Sequence, residues 1–111
     1  MADCLFCKIA SGEIKGNVVY HDEHVTAFRD LNPQAPTHVL IVPNTHVATV
    51  AELADADLSQ RLLQAAASIA REEKLDNGWR LVTNVGPDAG QTVFHLHWHL
   101  LGGRHMGWPP G

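Results

Sequence analysis

The segment His95-Leu96-His97-Trp98-His99-Leu100-Leu101 alternates imidazole and apolar side chains with a period of two. Strand side chains point to opposite faces in turn, so this period predicts an extended segment, taken here as Val93 to Leu101. Phe94, Leu96, Trp98 and Leu100 are then expected to face a core, and His95, His97 and His99 to line an open face. Neighbours on that face sit about 7 Å apart along the strand. A solvated sheet face normally takes Thr, Lys or Glu. Three adjacent imidazoles crowd groups that cannot all be protonated comfortably, and such clustering points to chemistry.

The rest of the chain supplies a scaffold for that strand. Leu5 to Ala10 predicts a short helical turn stopped by Ser11-Gly12, and Val18–His21 with His24–Arg29 predicts a hairpin across Asp22-Glu23. Asn32-Pro33 and Ala35-Pro36 force a loop, and Val39 to Val42 reads as a strand covered on both faces and closed by Pro43. Leu58, Leu62, Ala65, Ala66 and Ile69 recur at helical spacing behind a cap at Asp55 or Asp57, with Asn77-Gly78 as the expected left-handed stop. Trp79 to Asn84 alternates as a further strand, and Val85 to Gln91 is a loop. Short strands in a meander with one long helix make the class α+β, with a largely antiparallel sheet. No repeat or linker divides the 111 residues, so the expectation is one domain over 1–111, long enough to bury roughly two-thirds of its unfolded surface.

Charge and apolar runs exclude whole classes of partner. Eight Lys and Arg against twelve Asp and Glu give −4 without charge runs, which argues against phosphate-gripping nucleic-acid binders and against adhesion to anionic membrane. No apolar stretch approaches the roughly 18 residues of a spanning helix. Met1-Ala2-Asp3-Cys4 shows no basic n-region and no apolar h-region, so a secretory signal is not expected. Two cysteines then suit a reducing cytoplasm, where a metal or catalytic role is favoured over a disulfide.

Two chemistries fit the histidine strand. A His-x-His pair can hold zinc with an open water site for metal-assisted hydration or hydrolysis. Alternatively one imidazole is a nucleophile that its neighbours orient while they steady developing charge. Gly90-Gln91-Thr92 precedes the strand and offers close backbone approach, an amide and a hydroxyl, parts suited to phosphate oxygens or to a leaving group's proton. Cys4-Leu5-Phe6-Cys7 has metal-ligand spacing and supplies half of a tetrahedral zinc site. Asp30, at the end of a predicted strand, is placed to take a pair of ribose hydroxyls. His21, His24 and His105 carry no pattern and read as surface residues.

The histidine segment matches the His-φ-His-φ-His-φ-φ signature of the histidine triad superfamily of nucleotide hydrolases and transferases. With Pro33–His38, Gly90–Val93, Leu101–Arg104, Met106 and Trp108-Pro109-Pro110-Gly111, the chain resembles the histidine triad nucleotide-binding (Hint) branch along almost its whole length. The resemblance implies a five-stranded antiparallel sheet in each protomer and a homodimer with a continuous ten-stranded sheet. It implies hydrolysis of purine nucleoside 5′-phosphoramidates to an amine and a nucleoside monophosphate. His97 is then the nucleophile, His99 contacts the α-phosphate, and His38 belongs to the same cluster. Asp30 holds the ribose; Phe6, Ile9, Phe28 and Leu31 wall the purine with Leu40 behind; Asn84, Gly90, Gln91 and Thr92 surround the phosphate. In relatives that keep the two cysteines, the remaining zinc ligands correspond to His46 and His95, which implies a structural zinc on Cys4, Cys7, His46 and His95.

Two other functions compete with this reading. A dinucleoside polyphosphate hydrolase of the Fhit branch would share the triad and Gly-Gln-Thr-Val but not the Trp-Pro-Pro-Gly ending. A nucleotide-binding or partner-binding module with incidental turnover belongs to a different class altogether. The tail itself is informative: Trp108 is a large ring in a segment, 102–111, without regular period. In the resembling branch this tail reaches the pocket of the neighbouring protomer.

Overall fold

The computed structural model describes residues 4–111, so Met1 to Asp3, which open the expected domain and were read for a signal, lie outside the described residues. Helix α1 spans Leu5–Ser11 and helix α2 spans Ala56–Glu72. The strands are β1 (Val18–His21), β2 (Val25–Arg29), β3 (Thr37–Pro43), β4 (Trp79–Val82) and β5 (Trp98–Gly102). They form one antiparallel five-stranded sheet in the order β1-β2-β3-β5-β4. The α+β expectation and its five strands hold.

Each sheet face has its own cover. Val25, Ala27, Val39, Ile41 and Leu100 pack against Leu62, Ala65, Ala66, Ile69 and Ala70 of α2. The alternate residues Phe28, Leu40 and Val42 pack against Phe6 of α1. This second face is where the polar residues of interest emerge, and α1 covers only part of it. Asp55 caps α2 by accepting the Leu58 N–H at 3.1 Å, and Cys4 caps α1 by accepting the Cys7 N–H on its sulfur at 3.2 Å. Arg29 on β2 forms a two-pronged pair with Glu73 at 2.8 and 3.0 Å, tying the sheet to the end of α2.

Three sequence expectations need correction. The histidine strand does not begin at Val93; β5 begins at Trp98. The last β3 residue paired with β5 is Ile41, opposite Trp98, and Pro43 two residues on has no N–H for a ladder. The chain before Trp98 turns away instead, with the Leu96 N–H donating to the Val47 carbonyl. Leu96 and Leu100 are buried as expected, but Phe94, freed from the sheet, is 59% exposed. Helix α2 stops at Glu72, not at Asn77-Gly78. Lys74 takes the left-handed residue at φ 58°, and the Lys74 and Leu75 N–H groups close a Schellman motif on Arg71 and Ala70, which brings Leu75 against the core. Likewise β4 ends at Val82, short of Asn84.

Candidate active site and metal centre

The expected open face of imidazoles is a buried cluster: His95 is 0% exposed, His97 9% and His38 5%. The three triad histidines also part company. The rings of His95 and His97 both pack on Phe6 of α1, at centroid distances of 6.0 and 5.1 Å, but only His95 reaches the cysteines, while His97 and His99 keep ring contact with centroids 4.9 Å apart.

His95 meets both cysteines. Its Nδ1 lies 3.2 Å from Cys4 Sγ and 3.4 Å from Cys7 Sγ, and His46 Nδ1 lies 3.4 Å from Cys7 Sγ. All four ligand atoms lie within 4.8 Å of one another. His95 Nε2 sits 2.8 Å from the Pro43 carbonyl, which can only accept, so the proton is on Nε2 and the Nδ1 lone pair faces the sulfurs. Burial first, then the adjacent Cys4 sulfur, pushes the Cys7 thiol up. Donor types, count and tautomer all fit a closed tetrahedral site for a metal such as zinc.

Hydrogen bonds also dictate the tautomers of the remaining histidines. His97 Nδ1 lies 2.8 Å from the His95 carbonyl and must donate to it, which leaves Nε2 with a free lone pair. The His97 carbonyl accepts from Thr83 Oγ1 at 2.8 Å, and the edge of Phe6 packs on the ring at a centroid distance of 5.1 Å. His38 Nδ1 accepts the Gln34 backbone N–H at 3.0 Å, so its proton is on Nε2. That N–H donates to His99 Nδ1 at 2.9 Å, with Asp30 Oδ2 3.5 Å away. His99 therefore carries its own proton on Nε2, the atom left to donate outward. Burial, then His97 and His38, hold the His99 pKa down at about 4, so it is neutral near pH 7. Burial lowers His38 too, against the opposing pull of Asp30.

Placement of the other expected residues varies. Phe6, Phe28 and Leu40 form a buried apolar wall with Ile9 packed beside it, and Asp30 stands next to the His38–His99 pair. Asn84 lines a cleft of about 370 Å3 with His38, His99 and the tail. Gly90 adopts the left-handed φ of 82° that turns the loop, and Thr92 is exposed. Gln91 is spent on the scaffold: its side-chain amide donates to the Ala48 and Val93 carbonyls and accepts from the Gly86 N–H. Leu31 is 100% exposed and Trp108 83% exposed, so neither joins the wall within a single chain. His21, His24 and His105 are at the surface. The sequence reading missed the Gln34 amide. A signal existed: between Pro33 and Pro36 only Gln34 and Ala35 own an N–H to offer His38.

Residues 11–106 match the HIT domain family model. The chain belongs to the HIT domain family. A crystal structure of a HIT family hydrolase from Legionella pneumophila superposes with a TM-score of 0.95 at 52% identity, covering 98% of this chain and 100% of that one. The "14 kDa zinc-binding protein" of Brassica juncea is 47% identical over 98% of this HIT chain and all of its own length. A protein named adenylylsulfatase HINT1 from Arabidopsis thaliana is 45% identical, over 96% of this chain and 76% of that protein. Family and geometry together support a nucleotide hydrolase.

Proposed function

We propose that this HIT protein hydrolyses purine nucleoside 5′-phosphoramidates through a nucleotidyl-His97 intermediate. The observation that carries the reading is the His97 tautomer: Nδ1–H is committed to the His95 carbonyl, so Nε2 is the nitrogen left for attack, held in one orientation. In the first step Nε2 attacks the α-phosphorus, the P–N bond breaks, and the amine departs with a proton drawn from solvent through the Thr92 hydroxyl. In the second, water attacks the same phosphorus, the N–P bond to His97 breaks, and the nucleoside monophosphate is released. The His99 Nε2–H is available to a phosphoryl oxygen, and the exposed Thr92 hydroxyl is assigned to the leaving side. Phe6, Ile9, Phe28 and Leu40 are assigned to the base, with the exposed Leu31 meeting it from outside that wall, Asp30 to the ribose, and Asn84, Gly90 and Gln91 to shaping the phosphate site.

Zinc on Cys4, Cys7, His46 and His95 fits a structural role, since four N and S ligands leave no position for water. Bound there, it would tie α1, and hence Phe6, to the sheet. A reducing cytoplasm suits its two free thiols. The open edge of β4, with Trp79 42% exposed, suits pairing of two copies into a homodimer.

Adenylylsulfate is the second reading, favoured by the name of the Arabidopsis relative. It joins the same nucleoside monophosphate half to a different leaving group. Adenosine phosphoramidate, adenylylsulfate and diadenosine polyphosphate assayed in parallel rank the substrates. Intact-mass detection of one nucleotidyl group on wild type, absent from His97→Ala, supports the mechanism. Faster turnover of the dinucleotide than of the phosphoramidate overturns the primary reading.

A further inference from the structure

The polarity of the His38–His99 pair is set at His38 Nδ1 by a backbone amide in an exposed loop, with the Asp30 carboxylate 3.5 Å from His38 Nε2 favouring the same tautomer, and that loop is held from outside. Gln34 donates its N–H to His38 Nδ1, which forces both imidazoles into the Nε2–H form. Without that donor only the more distant Asp30 carboxylate would favour Nε2–H, and part of the His38 population would carry its proton on Nδ1. His38 Nε2 would then face His99 as an acceptor, and His99 would present a lone pair, not an N–H, to solvent.

Two contacts from the turn after β5 hold the Gln34 loop in place. Arg104 Nε donates to the Gln34 carbonyl at 2.9 Å, while its Nη1 donates to the His105 carbonyl at 2.9 Å. Next to it, Gly103 has φ 89° and packs so closely on Pro36 that a β-carbon there would lie 2.9 Å from Pro36 Cβ. The loop between Asp30 and β3 thus rests on the turn by a guanidinium at one point and a glycine at another. Gln34, His38, His99 and Arg104 line one common cleft.

We propose that Arg104 is a positioning residue that fixes the tautomers of His38 and His99 through Gln34, and so keeps the His99 Nε2–H aimed at the phosphoryl oxygen. This rests on the phosphoramidase reading for its kinetic consequence but not for its structural one. The link is local and directional. The guanidinium holds the carbonyl side of residue 34, and the amide side of the same residue holds the imidazole.

The test uses the full chain and two-bond nitrogen–proton correlation spectra of the imidazoles, which report which ring nitrogen is protonated. Wild type is expected to show single Nε2–H tautomers at His38 and His99. Arg104→Ala is expected to show tautomer mixtures at both, with kcat down about tenfold and KM within about twofold, because the lost interaction acts in the transition state. Arg104→Met keeps the aliphatic stem without any donor and is expected to match Ala, which covers the case of an unfolded Ala variant. Arg104→Lys, with a cation and donor in reach of the loop, is expected to recover part of the single-tautomer signal. A donor-free variant that folds and keeps the wild-type imidazole spectra overturns the proposal. So does a tautomer change that leaves kcat untouched. Should wild type fail to turn over any phosphoramidate, the functional reading falls while the spectra still decide the positioning.

Discussion

Acidification should destabilise this protein in part through His99, and the size of the effect follows from its surroundings. An imidazole with an ordinary pKa of 6.5 is held at about 4 in the fold, chiefly by burial and then by His97 and His38. Between those values the unfolded chain binds a proton that the folded chain refuses. Stability contributed by the neutral ring is therefore fully present above pH 6.5 and is lost as pH falls through about 4. At about 1.4 kcal/mol per pH unit the full window is worth at most about 3 kcal/mol. His99 is only partly buried, and solvent screening reduces that to about 2 kcal/mol.

His99→Gln isolates this contribution, because an amide can still accept from His38 and donate outward but cannot titrate. Urea unfolding of both proteins at about pH 7 and about pH 4.5 measures the stability lost in each. Carboxylate protonation and any metal release act on both proteins and drop out of the difference. Wild type should lose about 1–2 kcal/mol more than the variant over this interval. Equal losses would refute the reasoning, as would an NMR titration of the His99 ring with its midpoint near 6.5. The same result bears on catalysis: a ring neutral at working pH offers the phosphoryl oxygen a hydrogen bond without a full charge.

The other outcomes can be stated briefly. His97→Ala should lower phosphoramidate turnover by at least about a thousandfold while nucleoside monophosphate binding, measured by calorimetry, changes by less than about threefold. Near-normal turnover would end the nucleophile assignment. Protein purified without chelator should contain about one zinc per chain, and Cys7→Ser less than about a tenth of that, with a melting temperature lower by several degrees. Deleting Met106–Gly111 should leave a folded protein whose kcat/KM ratios among amines of different size are altered. Hybrid dimers pairing a full-tailed His97→Ala subunit with a tailless active subunit should behave as full-length enzyme, and truncated kinetics there would show that the tail acts only on its own chain.

The legible parts of the fold were those with a strong local period. Helix α2 could be read because Leu58 to Ile69 repeat at helical spacing and Asp55 is a cap by its own chemistry. The end of α2 could not be read from glycine, because the need to bury Leu75 put Lys74 in the left-handed region, a tertiary effect that overrides local preference. Within the site, the alternation identified the three histidines but misled on their surroundings. Period two says which residues share a face only while the strand lasts, and β5 lasts only from Trp98.

What ends the strand early is also what lets one short segment serve two purposes. Pro43 removes a ladder donor from β3 and lends its carbonyl to His95 Nε2, so the first histidine leaves the sheet with its Nδ1 turned toward Cys4 and Cys7. Its backbone carbonyl then takes the Nδ1–H of His97. One residue thereby belongs to the four-ligand site by its ring and to the nucleophile by its peptide. The short strand, the proline beside it and the CxxC helix are therefore one solution to a single packing problem.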